Sequence, residues 1–145
     1  MGWVIVNILL PAFAPIVLML LFFRPLRKRF PADAQKLINF LSPIKDGQLS
    51  WAGLAFCAAG LYEMHEAAHA VQVLGDTLHG VFEGLLIFGL LGNSFLAAEG
   101  AIFPAEQPRP ANVTFNDNYP VLAWSIAFST ISGILFAVVH FKLNP

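Results

Sequence analysis

PVLAWSIAFSTISGILFAVVHF, running from Pro120 to Phe141, contains no Asp, Glu, Lys or Arg, and His140 is its one ionisable side chain. A helix needs about 20 predominantly apolar residues to cross the hydrocarbon core of a bilayer, so this run is long enough to span it. Three comparable runs precede it, at residues 3–23, 49–74 and 80–101. Backbone amides cannot be left unpaired in lipid, so all four runs are expected as α-helices rather than strands. The composition agrees. With 145 residues, 57% hydrophobic and only 12% charged, and a mean hydropathy of +0.69, the chain has too little polar surface to coat a water-soluble globule. The expectation is an all-α integral membrane protein, residues 1–145 forming a single domain of four transmembrane helices in an antiparallel up-down bundle.

Seven of the eight Lys and Arg residues fall in two connections: Arg24, Arg27, Lys28, Arg29, Lys36 and Lys45 after the first run, and Arg109 after the third. By the positive-inside rule these connections are cytoplasmic, which places both termini and the link at Gly75-Asp76-Thr77 on the other side, as in a bacterial inner membrane. The first run has no basic residue before it and a basic cluster after it, so it reads as a retained anchor rather than a cleavable signal. Between the first two runs, Phe30, Ala34, Leu37, Ile38 and Leu41 form a helical stripe with Pro31 in the first turn. This predicts a short amphipathic helix lying on the cytoplasmic membrane surface. The basic cluster is accounted for by topology and anionic lipid, so the bilayer is the expected partner and nucleic acid is not.

Within the runs, Gly80 with Gly84, Ala55 with Ala59, and Ser125, Ser129 and Gly133 repeat at the spacing that permits close helix contact in lipid. Pro11 and Pro15 are expected to bend the first helix, and Asn7 to hydrogen-bond a neighbouring one. Residues 103–119 are rich in Pro and Asn and predict an irregular loop. The sequon at Asn112-Val113-Thr114 falls on the cytoplasmic side and is read as coincidental. A single cysteine, Cys57, excludes an internal disulfide and any cysteine-based zinc site.

The chemistry concentrates in His65-Glu66-Ala67-Ala68-His69, in the second run. Ionisable groups inside a membrane segment are costly and mark functional sites by default. If the chain turns near Gly75, His69 and His79 lie at similar heights on neighbouring helices, with Glu66 and Glu83 one to two turns deeper. On one continuous helix His65 and His69 are i,i+4 neighbours, as are His79 and Glu83 on the next. His140 ends the fourth run at the same membrane face, and Glu99 marks the opposite one. The leading expectation is a transition-metal-binding membrane protein serving metal handling, redox or metal-assisted chemistry. Its ligand set is His65, Glu66, His69, His79 and Glu83, with Glu63 and His140 as outer members. Zinc or iron suits these donors first, and copper or manganese next. Glu66-x-x-His69 also has the spacing of di-iron bundles, without a second copy of the motif, and haem ligation by two histidines on facing helices is a further variant, which a tight hairpin would place too close together at His69 and His79.

His65-Glu66-x-x-His69 also resembles the HExxH signature of zinc metallopeptidases. That resemblance covers five residues. It implies His65 and His69 as zinc ligands, Glu66 as the catalytic general base on a metal-bound water, and His79 or Glu83 as third ligand. Two further readings need no catalysis. The His and Glu side chains can form a hydrogen-bonded network that relays protons or fixes helix register. Alternatively, the chain is an accessory subunit of a membrane complex or a membrane immunity protein, with a membrane protein or a second copy of itself as partner.

Overall fold

The computed structural model describes residues 2–26, 44–67, 70–105 and 111–144, and among them the regular structure is entirely helical. In chain order the elements are α1 (Gly2–Val4), a π-helical turn (Ile5–Leu9), α2 (Leu10–Leu26), α3 (Leu49–Glu66), α4 (Ala70–Leu74), α5 (Asp76–Ile102), α6 (Phe115–Asn118) and α7 (Pro120–Leu143). Of these, α5 and α7 are each long and apolar enough to cross a membrane. The amphipathic segment expected at residues 30–41 lies outside the described residues.

Each apolar run becomes helical, with local chemistry setting its breaks. In the first, Pro11 has no N–H to donate back up the helix. The wider π-type turn lies just before it, and Leu10 N–H bonds to the carbonyl of Ile5. Asn7 serves its own helix rather than a neighbour, its Nδ2 donating to Trp3 O at 3.0 Å.

The second run is not one helix as expected. It stops at Glu66, with Ala67 extended at φ −75° and ψ 95°, and resumes at Ala70. By then α3 is already about 27 Å long. The break also folds α4 back so that Ala70 and Leu74 are buried against Leu86, Val139 and Leu143, closing one end of the core.

Gly75 enters α5 with φ +75°, a conformation that favours glycine, and Asp76 in the first turn complements the helix dipole. Inside the expected 103–119 loop, Thr114 caps α6: its Oγ1 accepts from Asp117 N–H at 3.2 Å and donates to Asp117 Oδ2 at 2.6 Å. Pro120 occupies the first turn of α7, where its missing N–H costs nothing.

Helices α3, α5 and α7 form an antiparallel three-helix core, joined through small side chains. Gly53, Cys57 and Gly60 of α3 meet Gly89 and Asn93 of α5 and Ser125, Ser129, Ser132 and Gly133 of α7, all buried. Spacing is tight. A Cβ on Gly89 would sit 2.8 Å from Cys57 Sγ, and one on Gly53 would overlap the side chain of Asn93. The expected Ser125, Ser129 and Gly133 series is therefore a contact face. Gly80 and Gly84 are not: both are exposed, with nothing near their Cβ positions.

The first helical run leans on this core at two heights. Trp3 packs on Phe136, His140 and Phe141 at the end of α7, while Ile16 packs against Ile44 and Leu122 at the other end. It therefore runs antiparallel to α7.

Candidate functional site

The up-down path brings the last turns of α3, α4, the start of α5, the end of α7 and Trp3 to one end of the molecule. Most of the sequence-predicted site residues are there, but they divide into two groups. His65 of α3 lines a pocket of about 260 Å³ with His79 and Glu83 of α5, floored by Leu61, Met64 and Ala70. His79 Nδ1 lies 4.0 Å from Glu83 Oε2, as their i,i+4 spacing predicts. Glu63 and His140 form the second group, with His140 Nδ1 at 2.9 and 3.1 Å from the two carboxylate oxygens.

The division follows from helix geometry. Residues two apart on a helix do not share a face. Glu63 consequently turns toward α7 while His65 turns toward α5. In the Glu63 pair the imidazole uses Nδ1, which leaves Nε2 as the nitrogen outside it. The ring is stacked on the Trp3 indole, centroids 3.6 Å apart and planes within 10°. Both side chains are largely sheltered, at 17% and 24% exposure.

The remaining expectations fare differently. Glu66 is exposed at the end of α3 and does not line the pocket. His69 lies outside the described residues. Because α3 ends at Glu66 and Ala67 is extended, the uninterrupted helical turn expected from His65 to His69 is not how the chain runs. Among the described residues, no three His, Cys, Asp or Glu side chains converge as one ion's coordination sphere. His65, His79 and Glu83 share a pocket without meeting at a point.

Trp3 is the participant that sequence reasoning missed. An aromatic at the start of one apolar run, level with a histidine at the end of another, was the available signal.

At the opposite end, Lys45 Nζ bonds Asp46 Oδ2 at 2.6 Å and Ala105 O at 2.9 Å, and Asp46 Oδ1 accepts from Ala105 N–H at 2.8 Å. This clasp ties the turn before α3 to the chain leaving α5. It borders a pocket of about 370 Å³ that Glu99, Asp117 and Tyr119 also line.

No protein-family model, curated protein or solved structure matches the chain.

Proposed function

We propose that the chain spans a membrane four times, through residues 2–26, α3, α5 and α7, and binds a transition-metal ion at the end where α3 finishes and α5 begins. The observation that carries the metal reading is the pocket of about 260 Å³ shared by His65, His79 and Glu83. Two imidazoles and one carboxylate are a donor set suited to zinc or iron, with copper and manganese next, and the exposed side chains of His65 and Glu83 would have to turn inward to reach one ion with His79. His69, two residues beyond Ala67, is the next donor along the chain. The peptidase alternative needs both motif histidines on one helical turn, and the break at Ala67 weighs against it.

The membrane reading draws support from the large apolar side chains left on the outside of the helices. Asn93, Ser125 and Ser132 are buried, while Phe88, Leu91, Phe95, Ile131 and Ile134 face outward. So much exposed apolar surface around small polar contacts between helices fits a protein solvated by acyl chains. The basic connections put the metal end on the non-cytoplasmic side.

Elemental analysis of the full chain, purified in mild detergent without chelator, tests the metal reading. About one transition-metal ion per chain is expected, lost in His65→Ala and His79→Ala and retained in Glu63→Gln. Metal-free protein, or metal content unchanged by both histidine substitutions, removes the proposal.

A second reading applies to the other group alone. The Glu63–His140 hydrogen bond and the Trp3 stack support a pin that fixes the register of α3, α7 and the first helix.

A further inference from the structure

The pocket of about 370 Å³ at the clasp end carries more negative charge than its own lining balances. Lys45, Asp46, Glu99 and Asp117 all border it. Lys45 Nζ is committed to both carboxylate oxygens of Asp46, at 2.8 and 2.6 Å, so that pair is closed on itself. Glu99 and Asp117 are left over. Among the described residues the Glu99 carboxylate has no partner, and that of Asp117 receives only the Thr114 hydroxyl. Glu99 also stands in the last turn of α5, which holds no basic residue and where the unpaired helix carbonyls already present partial negative charge. A carboxylate there is destabilising unless a cation offsets it.

Tyr119 points to an occupant independently. It is only 4% exposed and lines the same pocket, yet its hydroxyl bonds none of the described residues. A buried phenol ordinarily finds a partner. Among the described side chains only Ser50 Oγ is both sealed from every opening and without a partner, so the Tyr119 hydroxyl keeps an open side, and the pocket is the space it lines. Together these groups select the ligand's chemistry. Two unbalanced carboxylates and a phenol oxygen call for positive charge carried on N–H donors. A bare metal ion would leave most of the pocket empty, because the rest of its lining, including Phe103, Val113, Pro120 and Val121, is apolar and suits a hydrocarbon stem.

We propose that this pocket binds a small aliphatic diammonium ion. One ammonium is held by Glu99 and the phenol oxygen of Tyr119, the other by Asp117, and the methylenes between them lie on the apolar wall. A monoammonium ion would satisfy one carboxylate and leave the other unbalanced, whereas an inorganic divalent cation would match the charge without using the apolar wall. The residues involved lie at the end opposite the His65 pocket, and the inference is independent of both the metal and the membrane readings.

Calorimetric titration of the full chain in a non-ionic detergent with 1,4-diaminobutane tests this, with 1-aminobutane and magnesium chloride as comparators. One diamine per chain is expected, bound about tenfold more tightly than the monoamine, and an equal concentration of magnesium should not displace it. Glu99→Gln should weaken binding of the diamine at least about tenfold, and Tyr119→Phe, which keeps the ring, about threefold. Asp117→Asn should bring the diamine down to the affinity of the monoamine and leave the monoamine unchanged. Asp76→Asn, exposed at the far end of α5, removes the same charge and should change nothing. Arg109→Gln, between the two stretches of chain that line the pocket, should also leave binding unchanged. The site is overturned by any of four results: no binding of the diamine, its displacement by equimolar magnesium, an affinity unchanged in Glu99→Gln and Asp117→Asn proteins of wild-type helical spectrum, or an equal loss in Asp76→Asn. Binding seen only after Arg109→Gln overturns it as well, since the chain's own cation would then be the occupant.

Discussion

Asn93 is fully buried in the middle of the core, and its amide nitrogen has two partners. Nδ2 donates to Gly89 O at 2.8 Å and to Ser132 Oγ at 3.0 Å, while Oδ1 lies 3.4 Å from Ser129 Oγ, whose proton is directed to Leu49 O at 2.7 Å. Cys57 Sγ extends the network to α3 through Ser132 Oγ at 3.3 Å. Space for the amide exists because position 53 is glycine. Gly53→Ala should therefore destabilise the fold by about 1–3 kcal/mol through overpacking, and Asn93→Ala by about 1 kcal/mol through lost bonds. Since the second change opens the room that the first requires, the double variant should lose clearly less than the sum. Denaturant unfolding in detergent micelles measures all three, and strict additivity would refute the contact. The Trp3–His140 stack is tested in the same way. Trp3→Ala and His140→Ala should share a coupling of about 0.5–1.5 kcal/mol, and zero coupling would mean that the first helix is held elsewhere.

Among the elements, α5 shows how position rather than residue type decides a glycine's role. A Cβ on Gly100 would overlap the carbonyl of Asp46, where the clasped turn before α3 presses against the end of α5. A Cβ on Gly84 would meet nothing within 4 Å. Gly100→Ala should cost about 1–3 kcal/mol by pushing that turn away. Gly84→Ala should be neutral or gain up to about 1 kcal/mol from helix propensity. Comparing the two melting temperatures checks this, and equal effects would contradict the packing. Gly47, at φ +77° and with a Cβ position 2.7 Å from Leu96 O, belongs to the same turn and is bound to glycine by both conformation and space.

For the whole molecule the expectation is an asymmetric one: the Glu63–His140 pair and the His65 pocket at one end, the Lys45–Asp46 clasp at the other, separated by the length of α5. Cysteines introduced at the exposed positions Thr77 and Asn112 should be modified from opposite sides of a membrane by an impermeant maleimide, Asn112→Cys only after permeabilisation. The natural Cys57 is buried and serves as an unreactive background. Labelling of both sites from the same side would remove α5 as a span.

Helicity was legible in the sequence alone: on the reading that the apolar runs lie in lipid, the backbone has no other way to satisfy its amides. So was the gathering of Glu63, His65, His79, Glu83 and His140 at one end, which needs only run lengths and alternating direction. Chain order could not decide which of them meet. That depends on the rotation of each helix about its axis, and rotation is set by which small residues pack: Gly53, Cys57 and Gly60 face the core, whereas Gly80 and Gly84 do not. With α3 so oriented, Glu63 is aimed at His140 and His65 at the pocket of His79 and Glu83. The break at Ala67 was likewise a tertiary decision. Nothing in Ala67-Ala68 opposes a helix, and the gain comes from burying Ala70 and Leu74 on residues of α5 and α7 far away in the chain.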